Sequence, residues 1–318
     1  MSIRLGMIGT GRIAARAATE IREVKELELT AVMNPNREHA AVFASGHGIP
    51  EVYDEISELA RKVDAVYIAS PHATHYDYAR ELLTAGVPVL CEKPLAFRRS
   101  EAEELYDLAA SKEAVFMEAV KTAYCPGFRK IEEVIAGGAV GDVVDVEAAF
   151  TRLTAPGGRE YTDIRYGGAY TEFGTYPMLP IFRFLGTEYR DVKFSSQKSG
   201  DVDGYTKAFF DYGSCFGCAQ TGLTVKSEGQ LLISGTKGYL IAPSPWWLTK
   251  YFEVRYEDPG KIDRYECEFA GDGLRYEFAE FAARIEGMIP EDLLRRERTE
   301  AVARAGVYER FLGRNHDR

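Results

Sequence analysis

The chain has 318 residues, room for two domains, and a formal net charge of −10 from 39 Lys and Arg against 49 Asp and Glu. That charge argues against a nucleic-acid partner, because phosphate binding needs a basic patch. No apolar run approaches the ~20 residues that span a bilayer, so no membrane partner is expected. Five cysteines, an odd number, suggest free thiols in a reducing compartment. Met1 to Thr10 holds Arg4 and a brief apolar stretch but no signal-peptide core, so the expected location is the cytoplasm.

Ile3 to Ile8 reads as a first strand, and Gly9-Thr10-Gly11-Arg12-Ile13-Ala14 follows at once. Ile13, Ala17, Ile21 and Val24 then recur at helical spacing. Strand, glycine turn and helix form the setting in which a GxGxxG/A match carries meaning. Gly9 permits the tight turn, Gly11 lets a pyrophosphate approach the backbone, and Ala14 lets the helix pack close to the strand. The helix N-terminus offers unpaired N–H groups and the positive end of a dipole to phosphates.

The next strand, Leu29 to Met33, leads into Asn34-Pro35-Asn36-Arg37. A dinucleotide fold commonly places an acid here, on the ribose 2′-OH. No carboxylate stands here to repel a 2′-phosphate, and Arg37 is able to pair with one, so the reading favours NADP over NAD. The plain alternative is that Asn36 caps the following helix and Arg37 is solvated.

The alternation continues. Arg37 to Ser45 reads as a helix stopped by Gly46 and Gly48, Asp54 to Lys62 as a short helix, and Asp64 to Ala69 as a strand. That strand opens into Ser70-Pro71-His72-Ala73-Thr74-His75, a loop rich in hydrogen-bonding groups. A helix runs through Leu83 to a stop at Gly86. Val89 to Leu95 follows, an apolar strand that ends in Glu92, Lys93 and Pro94. Ser100 with Glu103 reads as a capping box. Ala114 to Ala119 is a further strand, carrying Glu118 near its end. Repeated βα units of this length imply a parallel, doubly wound sheet, and its ligands sit beyond the carboxyl ends of the strands.

The glycine turn, the Pro71 to His75 segment, Glu92-Lys93-Pro94 and Glu118-Ala119 together resemble the glucose-fructose oxidoreductase, inositol dehydrogenase and rhizopine-catabolism group, the Gfo/Idh/MocA family. The resemblance covers essentially the whole chain. It implies an N-terminal Rossmann domain, residues 1–121, and an α+β domain with a large open, mostly antiparallel sheet, residues 122–318, for substrate binding and oligomerisation. It implies NAD(P)-dependent hydride transfer on a secondary alcohol of a sugar, polyol or related molecule. The cofactor candidates are Gly9, Thr10, Gly11, Arg12, Ile13, Asn34, Arg37, Ser70, His72, His75, Glu92, Lys93 and Glu118. By the same resemblance Lys93 lies between nicotinamide and substrate. Two departures bear on cofactor preference: His72 stands where the family often has Asn, and Asn34-Pro35 where it often has an acid or a Ser-Arg pair.

After Lys121 the sequence changes character. Pro126 to Ile135 reads as a helix ending at Gly137-Gly138. From Val143, β-branched and aromatic residues dominate. Segments beginning at Asp191, Tyr205, Cys215, Gln230, Gly238, Tyr251 and Ile262 read as strands, with turns at Asp203-Gly204, Tyr212-Gly213-Ser214 and Asp258-Pro259-Gly260. The uncovered face of such a sheet suggests a homodimer or homotetramer. One helix, Ala169 to Leu185, interrupts these strands and places Glu172 and Tyr176 four apart on one face. The resemblance puts both at the substrate, with Glu replacing the usual Asp. Tyr in place of His is similar to the dihydrodiol dehydrogenase branch. Lys93 and Tyr176 are the candidate proton relay, since an alcohol oxidation sheds a proton to a base, and Glu172 the group that binds hydroxyls or orients Lys93.

Other features read as structural. Cys215-Phe216-Gly217-Cys218 has no second ligand pair, so no metal is expected. Trp246-Trp247 sit on a loop that walls a sugar pocket or packs inward. Arg159, Asp163 and Arg165 lie on a glycine-rich loop, a position from which they could cover a substrate. Residues 291–318 read as a surface helix. Two other functions stay open at this level: a redox-assisted glycosidase and a non-catalytic dinucleotide-binding regulator.

Overall fold

The structure is a computed structural model that describes residues 2–314. The chain forms two compact units. One runs up to Lys121 and resumes over Ala270–Gly306; the other covers Thr122–Phe269 and resumes at Val307. The break after Lys121 falls where the composition changes. The second stretch is not one domain, however, because 270–306 returns to the first unit.

In the first unit, β1 (Ile3–Ile8), α1 (Arg12–Ile21), β2 (Leu27–Met33), α2 (Arg37–His47), β3 (Glu51–Tyr53), α3 (Ile56–Ala60), β4 (Ala65–Ile68), α4 (His75–Thr84), β5 (Val89–Glu92), α5 (Arg99–Ser111) and β6 (Phe116–Ala119) alternate along the chain. The sheet order is β3-β2-β1-β4-β5-β6, with every pairing parallel. Strand β3 is too short to carry a sequence pattern of its own. The order reverses between β1 and β4, which sets a topological switch point at the carboxyl edge. Strands β4, β5 and β6 are buried at every position, as their continuous apolar runs require.

The expected capping box at Ser100 is not formed. The N-cap of α5 is Arg98, two residues earlier, and no side chain bonds there. The first turn is instead flanked by Arg98–Glu101 and Arg99–Glu103 ion pairs at 3.8 and 3.9 Å.

The returning segment supplies α10 (Leu274–Ile285) and most of α11 (Glu291–Gly313). The latter is not a surface helix along its whole length. Ala301, Val302 and Ala305 join the core formed by β4, β5 and α5, and Glu300 and Arg304 are buried with them. Its alternation of charge with alanine hides a face whose charges find partners inside. The last residues of that expected helix, 315–318, lie outside the described residues.

The second unit carries α6 (Pro126–Ala136), β7 (Val143–Thr151), α7 (Arg159–Thr162), α8 (Ala169–Phe173), α9 (Thr175–Leu185), β8 (Asp191–Ser199), β9 (Val202–Asp211), β10 (Phe216–Gly222), β11 (Leu231–Gly235), β12 (Gly238–Ala242), β13 (Tyr251–Tyr256) and β14 (Ile262–Glu266). Eight strands run in the order β14-β13-β12-β11-β7-β10-β9-β8. All neighbours are antiparallel except β7 and β10.

Asp203-Gly204 is not a turn; both residues lie inside β9, and the hairpin turns at Gly200, with φ +63°. Asp203 is instead buried, where it accepts from the Tyr170 amide at 2.9 Å and the Thr206 hydroxyl at 2.6 Å. The expected single helix 169–185 is two, joined at Gly174. Pro177 lacks the N–H that the Phe173 carbonyl would receive, so the ladder is interrupted at the joint.

Among the described residues no helix is long and apolar enough to cross a membrane. No cluster of three or more His, Cys, Asp or Glu among them is placed to hold a metal.

Candidate active site

The carboxyl edge of the parallel sheet gathers most of the cofactor candidates. Gly9 leaves β1 with φ +109°, and a Cβ there would lie 2.5 Å from the Ala69 carbonyl oxygen at the end of β4. Only glycine lets the two central strand ends converge this closely. Gly11 is the N-cap of α1; no side chain bonds there, and a Cβ built on it meets no atom within 4 Å. An uncapped helix N-terminus under open space fits a pyrophosphate, which supplies acceptors for the first-turn amides. Arg12 and Ile13 open this helix.

Asn34 ties the second strand end to the turn. Its Nδ2 donates to the Thr10 hydroxyl at 2.9 Å, and its Oδ1 accepts from the Asn36 amide at 2.9 Å. Asn36 caps α2, accepting from the Glu38 and His39 amides at 3.0 and 3.1 Å. The exposed Arg37 lies 3.2 Å from Asp54. Beyond β4, the Ser70 and Thr74 hydroxyls are 2.7 Å apart. The buried His75 ring spans the Pro94 carbonyl at 2.8 Å and the Ser70 carbonyl at 3.0 Å, so it straps the β4 loop to the β5 loop. His72, also buried, packs its ring 5.6 Å from that of His75 and 6.0 Å from Phe97.

Strand β5 delivers Glu92 and Lys93. Glu92 is 7% exposed and accepts from the Tyr67 hydroxyl of β4 at 2.6 Å. Burial raises its pKa, while Lys93, the Tyr67 bond and Lys121 pull it back. Lys93 itself is half-buried. Glu118, at the end of β6, is held by Arg304 of α11 through Nε at 3.0 Å and Nη2 at 2.6 Å, and by the Leu95 amide at 3.3 Å. The same edge thus holds one carboxylate beside Lys93 and one locked in a buried ion pair.

In the second unit, Glu172 lies in the last turn of α8 and Tyr176 in the first turn of α9. Glu172 is 8% exposed, and Arg159 of α7 donates to its Oε1 at 2.6 Å. Tyr176 is half-buried, with its ring stacked 4.7 Å from Phe150 of β7. Phe150 also stacks with Phe173 at 4.6 Å and meets Trp247 at 4.0 Å. Trp246 packs inward, fully buried, and donates from Nε1 to the Ala149 carbonyl at 2.9 Å. Asp163 accepts from the Arg165 and Tyr166 amides, which shapes its own loop.

Sequence reasoning missed the partners. Arg159 was placed by its loop alone, and its pairing with Glu172 crosses a turn that carries no periodic signal. Arg304 and Tyr67 lie far in sequence from the carboxylates they hold. Glu277 of α10 did leave a trace: Leu274, Glu277, Phe278 and Phe281 share one helical stripe, and all four are buried.

Residues 3–120 match the oxidoreductase family with an NAD-binding Rossmann fold, GFO_IDH_MocA. The chain is 28% identical over 298 residues to the scyllo-inositol 2-dehydrogenase (NADP(+)) IolU of Bacillus subtilis, covering 89% of this chain and 88% of that one. It is 29% identical over 294 residues to the trans-1,2-dihydrobenzene-1,2-diol dehydrogenase of Bos taurus, covering 87% and 86%. Among solved structures, KijD10, a 3-ketoreductase from Actinomadura kijaniata in complex with NADP and TDP-benzene, superposes with a TM-score of 0.82 at 24% identity over 97% of this chain and 96% of that one.

Proposed function

We propose that this chain is an NAD(P)-dependent oxidoreductase of the Gfo/Idh/MocA family that uses NADP and acts on a secondary alcohol, or the matching ketone, of a six-membered ring. The observation that carries this reading is the carboxyl edge itself: an uncapped helix N-terminus at Gly11 on the same edge as Glu92 and Lys93. The ring-alcohol class rests on relatives named for scyllo-inositol and for a dihydrobenzenediol. The Phe150, Tyr176 and Trp247 rings fit it as well, since aromatic faces suit C–H-rich rings.

When bound, a nicotinamide would supply the acceptor for the hydride leaving the alcohol carbon. On the nucleotide unit we assign Lys93 as the group that accepts the hydroxyl proton, with Glu92 holding its charge environment. On the second unit we assign Tyr176 to proton handling and Glu172, oriented by Arg159, to the substrate hydroxyls. Asn34, Asn36 and Arg37 are assigned to the 2′-phosphate side, where Asp54 competes for Arg37. A homodimer is proposed on the open sheet face, where Phe209 and Phe216 are 48% and 56% exposed. A cytoplasmic location is proposed on the five free cysteines.

The test is a fluorescence titration with NADPH and NADH, followed by assay of inositols and cyclic diols. Tighter NADPH binding with net NADPH formation supports the reading; net formation also separates it from a redox-assisted glycosidase, which regenerates its cofactor. Binding of neither nucleotide by the folded protein overturns it.

A further inference from the structure

One side chain, His75, joins the loop after β4 to the loop after β5. It opens α4 and is 1% exposed. Its Nδ1 faces the Pro94 carbonyl oxygen at 2.8 Å, and its Nε2 faces the Ser70 carbonyl oxygen at 3.0 Å. Both partners are backbone carbonyls, which accept hydrogen bonds and never donate them. A neutral imidazole carries a proton on one nitrogen and a lone pair on the other. With one proton, one of the two contacts sets a ring lone pair against a carbonyl lone pair at hydrogen-bond distance. With two protons, both contacts are hydrogen bonds. The geometry is that of an imidazolium.

The surroundings favour the same form. The Pro94 carbonyl belongs to the peptide whose N–H is that of Leu95, and this amide donates to Oε1 of Glu118 at 3.3 Å. One peptide group thus has a histidine at its oxygen and, at its nitrogen, a carboxylate whose other oxygen accepts from Arg304 at 2.6 Å. A cationic donor at the oxygen polarises the amide and strengthens its bond to the anion. The other titratable ring facing His75 is that of His72, 5.6 Å away. Two carbonyl acceptors offset the cost of burying the charge. The far end of the contact is equally tight. A Cβ on Gly9 would lie 2.5 Å from the Ala69 carbonyl oxygen and 3.1 Å from the Ser70 amide nitrogen. Close contacts therefore run from the glycine turn, through the end of β4 and the His75 ring, to the residue that follows Lys93.

We propose that His75 is a positioning residue of the reaction: a buried imidazolium that straps the end of β4 to the end of β5 and fixes the Pro94–Leu95 peptide, and with it the backbone of Lys93. The inference rests on the place given to Lys93 above. Loss of one ring proton leaves only one of the two bonds, so the strap is closed at neutral pH and half-open at alkaline pH.

The experiment reads the imidazole nitrogens by 15N NMR across pH in the full-length protein without cofactor, so it needs no activity. The chain has five histidines, and the His75 signals are those lost in His75→Gln. Should that variant not fold, replacing the other four histidines one at a time assigns His75 by elimination. At neutral pH, where an ordinary histidine has mostly lost its second proton, His75 is expected to show two protonated ring nitrogens. As the pH is raised one of them loses its proton, and the Leu95 amide resonance should move over the same pH range. In His75→Gln the Leu95 amide is expected to exchange with solvent at least ~10-fold faster. Turnover of that variant at saturating nucleotide and substrate should fall about 10–100-fold, since saturation corrects weaker binding but not a displaced Lys93. A His75 ring with a single proton at neutral pH overturns the proposal. So does a Leu95 amide unmoved by the His75 titration, or parent-like turnover in folded His75→Gln, either of which would leave His75 a packing residue. A parent protein without activity but with both NMR results intact would count against the proposed reaction, not against the strap.

Discussion

Strands β5 and β6 lie side by side and end in the same way, with a buried glutamate near the carboxyl edge, yet the two ends are built for different purposes. Glu118 of β6 has an arginine on one oxygen and a backbone amide on the other. Glu92 of β5 has one tyrosine hydroxyl, lysines in its field and a second carboxyl, Glu277, that finds no donor among the described residues. The first arrangement pairs carboxylate with guanidinium and holds α11 against the sheet. The second leaves charge imperfectly matched in a buried corner, the setting in which the proposed role of Lys93 is placed. Sequence alone presents the two carboxylates as equals. Their partners separate them.

Lys93→Ala gives the sharpest test of that contrast. Turnover should fall by about 10²–10⁴-fold, the usual weight of an acid–base group, with NADPH affinity and melting temperature nearly unchanged. Arg304→Ala should do the reverse. Stripping the partner from buried Glu118 costs roughly 3–5 kcal/mol of stability, read by chemical denaturation, while turnover per folded molecule stays near the parent value. If Arg304→Ala abolished turnover in a protein of unchanged stability, the contrast would be broken. Tyr67→Phe sits between the two. Removing the hydroxyl that serves buried Glu92 should destabilise by about 1–3 kcal/mol and also lower turnover, because the Lys93 environment changes with it.

The smallest effect is expected at the ion pair between Glu20 of α1 and Arg275 of α10. Burial opposes ionisation of Glu20, but the hydrogen bonds and charge of Arg275 outweigh it and lower its pKa. The stability this pair adds is therefore fully present above the ordinary glutamate value of about 4.3 and is lost as pH falls through the lower native value. Glu20→Gln should flatten the melting curve against pH in that acid window only, and leave turnover at neutral pH alone.

What the sequence determined by itself is what rests on local pattern. The glycine turn between β1 and α1, the run of βα units and the apolar strand ending in Glu92-Lys93 were legible because strand and helix periods, and glycine at a positive φ, depend on neighbours a few residues away. Most strands of the antiparallel sheet were legible for the same reason. The tertiary structure decided everything that joins distant residues. It broke the helix at Gly174, turned Asp203 from a loop residue into a buried acceptor, and returned 270–306 to the nucleotide unit. It paired Glu118 with Arg304 across 186 residues and Glu172 with Arg159 across a loop. Among the described residues, it left Glu277 without a donor. A charge in a sequence carries no mark of burial or partner; only the packing of remote segments sets its solvation, and solvation decides how readily a carboxyl group ionises.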